Sequence, residues 1–403
     1  MSVIVDKNCM KMKIRDVENA FRYRRIPYPK RSVELIALIA ISCTFFLFMH
    51  TKNLNTRLRE MEVKLQPSEF SALGLTGEHH ISGGGDGSRS GNDINTLHGT
   101  YQYLKSTGQL QSLSSDKLNN TKNSHPGIVF FNRVAKVGSE AMMELIQILK
   151  KFNDFEFHPA SGTSMNLKLP AIQEHVETMT QLNEESIYMK HIGFINFTQF
   201  DLQQPIYMNL VRDPVERVIS WFYYTRSAYK NAIYFQKVKN AEVQSLDWWK
   251  KDFNQCVRSG DHECNYKQYA IKDGVGDYRR QSLFFCGHSR DCLPFNSPTA
   301  IQIAKHNVEK YYAVVGTWED TNVTLTVLEK FIPRYFHGAK LLYALNQDKI
   351  RKRNKNTRKP KVDDDVREMI KKNFTQEYDF YHFCKQRLYK QYISLKLKEL
   401  DSV

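Results

Sequence analysis

Short apolar runs alternate with amphipathic stretches from about Gly127 to the end of the chain. The apolar runs predict β-strands at Ile128–Asn132, Ile187–His191, Ile206–Val211 and Ala313–Val315. The amphipathic stretches predict helices at Ser139–Lys151, Pro214–Tyr224, Thr299–Tyr311 and Thr321–Phe331. Strands that are apolar throughout and alternate with helices are typical of a parallel sheet covered on both faces, so an α/β fold is expected. Ligands bind such sheets beyond the carboxyl ends of the strands.

One long apolar run precedes this region, at residues 32–49, and only Glu34 interrupts it. Its length matches the short end of a membrane-spanning helix. Nine Lys and Arg side chains lie before it against three acids, which predicts a cytosolic tail at residues 1–31 and a lumenal chain from residue 50 onward. The long basic tail favours a signal anchor over a cleaved signal peptide, which stays an alternative. We expect a single-pass type II membrane protein of the Golgi.

Residues 50–126 are polar and include the tract ISGGGDGSRSGND. Such a composition cannot bury enough apolar surface to fold, so this segment is predicted to be a flexible lumenal stem. The folded lumenal domain is then expected at residues 127–403. Asn-Xaa-Thr sequons for glycosylation fit this location and occur at Asn119, Asn196, Asn322 and Asn373.

The net charge and the cysteine spacings give further evidence about the partner and about disulfide bonds. The formal net charge of +15 indicates a polyanionic partner, but charge does not choose between nucleic acid, an anionic membrane and an acidic polysaccharide. Among the lumenal cysteines, the spacings of Cys256 with Cys264 and of Cys286 with Cys292 are wider than those of zinc knuckles. Local disulfides are therefore favoured over a metal, and Cys384 is left as a buried thiol.

The turn after the first predicted strand has the chemistry of an anion site. The segment IVFFNRVAKVGS runs directly into the helix that begins at Ser139, and Lys136 lies in the turn. A helix N-terminus offers unpaired N–H groups and a positive dipole end to a phosphate or sulfate. A Walker loop would need Ser or Thr after the lysine, whereas Val137 follows it here. The alternative is ordinary α/β architecture.

The segment IYMNLVRDPVERVISWFYY repeats this geometry. Arg212 ends a strand, Asp213 is placed to cap the next helix, Pro214 suits its first position, and Glu216 lies where a capping box has its acid. Ser220 follows about two turns along the helix, where its hydroxyl and the Arg212 fork can share one phosphate. The alternative is a structural Arg–carboxylate pair with a serine on the helix surface.

The motifs FFNRVAKVGS, MNLVRDPVERVIS and FFCGHSRDC together resemble the Golgi uronyl 2-O-sulfotransferases. That family includes heparan sulfate 2-O-sulfotransferases, dermatan/chondroitin uronyl 2-sulfotransferases and the insect pipe-type proteins. The motif sequences of this chain most resemble those of the pipe-type proteins. The resemblance covers roughly residues 127–395. It implies a P-loop-like three-layer fold that binds 3′-phosphoadenosine 5′-phosphosulfate without a metal. It also implies sulfation of the 2-hydroxyl of a hexuronic acid, an acidic glycan rather than nucleic acid as partner, and a homo-oligomer, since relatives form trimers.

The resemblance further assigns the donor site. The residues that would hold the 5′-phosphosulfate are Arg133, Lys136, Gly138 and Ser139. Lys136 would also stabilise the charge on the bridging oxygen, while Arg212 and Ser220 would bind the 3′-phosphate. The two cysteine pairs correspond to two local disulfides. The basic segment 349–361 reads either as a solvated polyanion patch or as a loop that closes over the nucleotide through Arg353, Asn354 and Lys355.

His191 matches the histidine that the family uses as catalytic base. It ends a predicted strand on the same side of the sheet as the two anion sites, and a neutral imidazole can remove a hydroxyl proton near neutral pH. A lone histidine at a strand end is otherwise usually structural. Heparan enzymes carry a second histidine where this chain has Met189, which leaves the acceptor open. Trp248 and Trp249 are candidates for stacking on sugar rings, or for the core.

Two other classes of protein stay open at this point. One is a membrane-anchored polyanion-binding protein without catalytic turnover, for which Met189 is the supporting feature. The other is a P-loop kinase, which the missing Lys-Ser/Thr dipeptide disfavours.

Overall fold

The computed structural model describes residues 93–238, 242–271, 280–354 and 359–401, together with Thr44 and Met49. The chain divides into two units, Met1–Glu78 and His79–Val403. In the first unit Thr44 and Met49 are helical and exposed. The rest of the predicted anchor at residues 32–49 lies outside the described residues, and within the described part of the chain no helix is both long and apolar enough to span a bilayer.

A five-stranded parallel sheet organises the second unit. Its strands are β1 (His125–Phe131), β2 (Glu156–Ser164), β3 (Ser186–Ile192), β4 (Pro205–Val211) and β5 (Tyr312–Thr317). Their spatial order is β2-β3-β1-β4-β5, and every neighbouring pair runs parallel. Phe131 lies opposite Met189 of β3 and Met208 of β4, so these three strands end at the same edge. The predicted α/β class with a parallel sheet is confirmed.

The sequence pattern located four of the five strands. Each predicted strand is present, with ends that differ by at most three residues, and Asn132 lies just beyond β1. The strand that was missed is β2, which lies at the edge of the sheet and is mostly exposed over its second half. Because only one side of an edge strand is paired and little of β2 is buried, its sequence EFHPASGTS carries no apolar run.

Every residue of β4 and β5 is buried, so both faces of the sheet are covered at these strands. In chain order the helices are α1 (Leu97–Ser106), α2 (Ser115–Leu118), α3 (Ser139–Asn153), α4 (Leu169–Thr180), α5 (Pro214–Thr225), α6 (Ala228–Lys237), α7 (Leu246–Lys250), α8 (Phe253–Arg258), α9 (Ser282–Cys286), α10 (Pro298–Tyr311), α11 (Thr321–Phe331), α12 (Pro333–Phe336), α13 (Ala339–Leu345), α14 (Gln347–Asn354), α15 (Asp364–Asn373) and α16 (Thr375–Asp401). The four predicted helices correspond to α3, α5, α10 and α11.

The long C-terminal helix α16 is buried on most of its sides. It packs against α1, α10, α11 and β5. Gln391 donates from Nε2 to the carbonyl oxygens of Ala313 at 2.8 Å and Leu118 at 3.0 Å, so the helix also satisfies backbone groups of its neighbours. Its buried residues include polar ones such as Gln386 and Arg387, so the sequence shows no clear apolar stripe and its pattern did not reveal the helix.

Residues 93–126 were expected to belong to the flexible stem but are folded in the second unit. The amide of Gln386 in α16 donates to Oδ1 of Asn95 at 2.9 Å. Asn120 is buried and donates from Nδ2 to the carbonyl oxygen of Tyr312 at 2.9 Å. This polar segment contributes hydrogen bonds and the buried side chain of Leu104, so composition alone did not distinguish it from a linker.

The structure joins Cys256 to Cys264 and Cys286 to Cys292, and Cys384 is a buried free thiol. Both disulfide pairings therefore agree with the expectation from the sequence. Among the sequon residues, Asn322 and Asn373 are exposed, whereas Asn119 and Asn196 are half-buried.

A buried polar network connects the ends of the central strands. Asn209 donates from Nδ2 to the carbonyl oxygen of Asn132 at 2.7 Å and to its Oδ1 at 3.1 Å. The hydroxyl of Tyr312 donates to the same Oδ1 at 3.0 Å, and Asn132 itself donates to the carbonyl oxygen of Phe284 at 2.9 Å. Because the groups are buried, each hydrogen bond avoids the cost of an unpaired polar atom.

Replacing Tyr312 by Phe should lower the free energy of unfolding by about 1–2 kcal/mol, because Asn132 Oδ1 loses one of its two donors. Urea denaturation with an unchanged slope would measure this. The neighbouring substitution Tyr311→Phe is the matched control, since that hydroxyl has no hydrogen-bond partner among the described residues. It should change the stability by less than about 0.5 kcal/mol. Equal effects of the two substitutions would contradict the role of the network.

Candidate functional site

A cavity of about 870 Å³ opens at the carboxyl edge of the sheet. Its walls come from the turn after β1, the ends of β2 and β3, helix α5 and the segment after β5. The cavity brings together these residues singled out in the sequence: Arg133, Lys136, Gly138, Ser139, His191, Arg212 and Ser220. The two segments predicted to bind anions and a histidine that are far apart in the sequence therefore line one cavity.

The turn before α3 has two residues in the left-handed region, Lys136 at φ 66° and Gly138 at φ 90°. Such a conformation is unusual for lysine and indicates that the surrounding structure imposes it. At Gly138 the space is restricted as well, because an added Cβ would lie 2.7 Å from Cγ of Trp318. Helix α3 then begins at Ser139, so its first N–H groups lie at the cavity.

Contacts from α5 and from Arg212, two residues before it, hold this turn in place. The guanidinium of Arg212 donates from Nη1 to the carbonyl oxygen of Lys136 at 3.2 Å. The buried Arg217 donates from Nη1 to the carbonyl oxygen of Ala135 at 3.1 Å. The Lys136 ammonium lies 3.8 Å from the centroid of the Tyr224 ring, a cation–π contact. The second predicted anion segment thus shapes the first.

Arg133 connects the turn to β3. Its Nη1 pairs with Oε1 of Glu140 at 2.9 Å, in the first turn of α3. Its carbonyl oxygen accepts a hydrogen bond from Nδ1 of His191 at 2.8 Å. A carbonyl cannot donate, so Nδ1 of His191 carries a proton and, in the neutral ring, Nε2 is the nitrogen that can accept one.

The half-buried position of His191 keeps its ring neutral. Burial is the largest cause, the positive charge of Arg133 adds to it, and together they lower the pKa of His191 to about 4. The hydrogen bond to the Arg133 carbonyl opposes this shift only in part. A neutral imidazole with a fixed tautomer at the wall of a cavity has the geometry of a general base.

Helix α5 begins as its sequence predicts. Asp213 caps it, accepting from the backbone N–H of Glu216 at 2.9 Å. Arg212, Glu216 and Ser220 recur every four residues and all line the cavity. Ser220 is buried at 6% exposure, so it is not a helix-surface serine. The alternative Arg–carboxylate pair does occur, with Arg212 Nη2 at 3.3 Å from Glu216 Oε2.

The carboxylate of Glu216 binds cations instead of completing a capping box. Besides Arg212, it accepts from Lys359 Nζ at 2.7 Å and from Arg367 Nη1 at 2.6 Å. Burial alone would raise the pKa of Glu216, but the hydrogen bonds and charges of Lys359 and Arg367 outweigh it and lower the pKa to about 2. These partners lie 143 and 151 residues away in the sequence, so no local pattern could have paired them with Glu216.

The loop that was expected to close over the nucleotide stays a prediction. Arg353 and Asn354 are the last residues of α14, but their side chains and the whole of Lys355 lie outside the described residues. Among the described residues, Trp248 and Trp249 are not part of the cavity wall. Trp248 packs on the guanidinium of Arg226 at 4.2 Å and forms an edge contact with Trp249. Both tryptophans are half-buried, so neither belongs to the core, and stacking on a sugar ring stays a prediction.

Other wall residues were not recognised from the sequence, namely Trp221, Trp318 and Glu319. Oε1 of Glu319 accepts from the backbone N–H of Asp213 at 3.1 Å, and burial raises its pKa. The segment TWED directly follows β5, and its position at the end of a strand was the signal that could have identified it.

Comparisons with known proteins identify relatives of this chain. A model of the sulfotransferase family matches residues 122–384. The chain is 44% identical to the uronyl 2-sulfotransferase homolog pip of Drosophila melanogaster, over 96% of this chain and 93% of that protein. It is 31% identical to the heparan sulfate 2-O-sulfotransferase hst-2 of Caenorhabditis elegans, over 53% of this chain and 62% of that protein. It is 25% identical to the uronyl 2-sulfotransferase of Mus musculus, over 67% of this chain and 65% of that protein.

The family match spans every residue that lines the cavity. The motifs that suggested the resemblance form the turn before α3, the start of α5 and the segment of α9 with its disulfide. The chain therefore belongs to the sulfotransferase family, in the group of uronyl and heparan sulfate 2-O-sulfotransferases.

Proposed function

We propose that this protein transfers a sulfuryl group from 3′-phosphoadenosine 5′-phosphosulfate to the 2-hydroxyl of a hexuronic acid in a glycosaminoglycan, of heparan sulfate type or related. The observation that carries this proposal is the position of His191. Its neutral ring, with Nδ1 bound to the Arg133 carbonyl, lies in one cavity with Lys136, Arg212 and Ser220. The similar proteins named as uronyl and heparan sulfate 2-O-sulfotransferases support the reaction.

The wall of the cavity suits the two anionic ends of this donor. The 5′-phosphosulfate would be held by the first N–H groups of α3, by Lys136 and by Arg133, with Gly138 allowing the close turn. The 3′-phosphate would be held by Arg212 and Ser220. A volume of about 870 Å³ is large enough for a nucleotide and part of a sugar chain.

The side chains divide the chemistry between them. Nε2 of His191 accepts the proton of the attacking hydroxyl, which makes that oxygen a nucleophile for sulfur. The ammonium of Lys136 and the N-terminus of α3 stabilise the negative charge that develops on the departing phosphate. The cation–π contact with Tyr224 keeps the Lys136 ammonium in the cavity before the donor binds.

The cellular setting is part of the same proposal. The apolar run at residues 32–49 would anchor the protein in the Golgi membrane, with the catalytic domain in the lumen. The two disulfides support an oxidising compartment, because such bonds persist in the secretory pathway and are rare in the cytosol.

His191→Ala should abolish sulfuryl transfer to a desulfated heparan or dermatan acceptor, because the base is lost, while binding of adenosine 3′,5′-bisphosphate stays within about twofold. Transfer of radiolabel from the phosphosulfate donor measures the first effect and calorimetry the second. The exposed His337 provides the control His337→Ala, which should be fully active. Unchanged turnover of His191→Ala would overturn the assignment. Nucleotide binding without any turnover in the wild type would instead indicate a polyanion-binding protein.

The pH dependence should follow the lowered pKa of His191. Because that pKa is about 4, the ring stays neutral as the pH falls from 7 to 5 and becomes protonated only near pH 4. We expect kcat/KM to change by less than about twofold between pH 7 and pH 5 and to fall below that range. An imidazole with the ordinary pKa of about 6.5 would lose about thirtyfold by pH 5. A loss of that size would contradict the neutral, buried base.

Arg212→Ala should weaken retention of the lumenal domain on immobilised adenosine 3′,5′-bisphosphate, with a loss in affinity of about tenfold or more, because a charge-assisted contact to phosphate is removed. The exposed Arg290 supplies the control Arg290→Ala, which should elute with the wild type. If Arg212→Ala elutes there too, the 3′-phosphate does not bind at this edge of the cavity.

A further inference from the structure

Glu216 is the point at which three cations from separate parts of the chain meet. Arg212 precedes α5, Lys359 precedes α15 and Arg367 lies within α15. Their nitrogen atoms lie 3.3, 2.7 and 2.6 Å from the oxygens of the Glu216 carboxylate. All four side chains are between 26% and 32% exposed. Arg212 and Glu216 line the cavity, and Lys359 and Arg367 contact the Glu216 carboxylate at its wall.

The charge of this cluster suits a phosphate monoester. Three single positive charges around one carboxylate leave a net charge of about +2, while a phosphate monoester carries about −1.5 to −2 at neutral pH. The carboxylate of Glu216 is ionised throughout the physiological range, because its cation partners lower its pKa to about 2. The cluster therefore attracts an anionic ligand, although the Glu216 carboxylate within it is itself negatively charged.

The position of the cluster identifies which phosphate it faces. Glu216 lines the cavity one helical turn from Arg212 and one turn from Ser220, the two side chains that the proposed function assigns to the 3′-phosphate. A carboxylate at that place would repel the phosphate unless it were neutralised. Lys359 and Arg367 provide that neutralisation and add the excess positive charge.

We propose that Lys359 and Arg367 belong to the 3′-phosphate site and that Glu216 is the residue that positions them beside Arg212. This inference rests on the proposed function, because it adds residues to the donor site of the same reaction. The Glu216 carboxylate binds two cations from the C-terminal part of the chain at the start of α5. Lys359 and Arg367 each donate a hydrogen bond to this carboxylate, so their charged groups lie close together. The bound phosphate then interacts with cations whose arrangement already exists before it arrives.

A purely structural role is the competing explanation. In that case the ion pairs would only attach α15 to α5, and their loss would lower stability and weaken every ligand of the cavity alike. The two explanations differ in one measurable quantity, the preference for a nucleotide that has a 3′-phosphate over one that lacks it.

The test compares adenosine 3′,5′-bisphosphate with adenosine 5′-monophosphate by calorimetry. Lys359→Met and Arg367→Met should each lower the affinity for the bisphosphate by about tenfold, and that for the monophosphate by less than about threefold. Lys371→Met is the matched control, since Lys371 lies one turn after Arg367 on the same helix and pairs with Glu368. It should leave both affinities unchanged. Equal losses for the two nucleotides, or no loss, would overturn the inference.

Glu216→Gln separates positioning from charge. The substitution raises the net charge of the cluster by one, so a simple attraction of charges predicts tighter binding of the bisphosphate. Positioning predicts the opposite, a loss of about fivefold or more that is confined to the bisphosphate, because Lys359 and Arg367 are no longer gathered at one point. Tighter or unchanged binding by Glu216→Gln would overturn the role of the carboxylate.

The same experiment distinguishes a failure of this inference from a failure of the proposed function. If the wild type shows no preference for the bisphosphate, the donor assignment itself is wrong. If the wild type prefers the bisphosphate and Lys359→Met, Arg367→Met and Glu216→Gln keep that preference, only the inference is wrong. Thermal unfolding of each variant, with an expected change in Tm of a few degrees at most, shows that the fold is intact.

Discussion

The hydrogen bonds between Asn209 and Asn132 connect the two strand ends on which the rest of the site depends. One strand leads into the turn of Lys136, and the other leads to Arg212 and helix α5. Because β1 and β4 are parallel neighbours, both segments leave the sheet at the same edge. The buried amides fix the spacing of these exits, since any relative shift would leave polar groups unpaired in the core. The two turns therefore line a single cavity.

The two segments are also dependent on each other beyond the sheet. Arg212 and Arg217 donate to the carbonyl oxygens of Lys136 and Ala135, which supports the left-handed conformation of Lys136. That conformation costs about 1–2 kcal/mol for a residue with a side chain. The Arg133 carbonyl oxygen, in the same turn, accepts the hydrogen bond from Nδ1 of His191 and fixes the orientation of its ring. The tautomer of the base, the direction of the lysine and the position of the first arginine are thus set together.

Local patterns in the sequence located most of the candidate site. Lys136, His191 and Arg212 could be placed at the carboxyl edge because apolar strands of a parallel sheet end together, and Ser220 followed from the helical period. Each of these inferences needs only the residues within one strand and its following helix. What the pattern did not show was the edge strand β2, the buried helix α16 and the folding of residues 93–126, where the stabilising contacts lie outside the segment itself.

The sequence by itself determined the α/β class, the order of strand, turn and helix at both anion segments, and the family to which the chain belongs. These properties depend on short-range periodicity and on motifs of fewer than about twenty residues. Only the tertiary structure decided that Glu216 binds Lys359 and Arg367, that Trp248 packs on Arg226, and that burial with Arg133 keeps His191 neutral. The physical reason is that charge pairing, burial and pKa depend on distances in space, and residues more than 140 positions apart in the chain meet only when the sheet has formed.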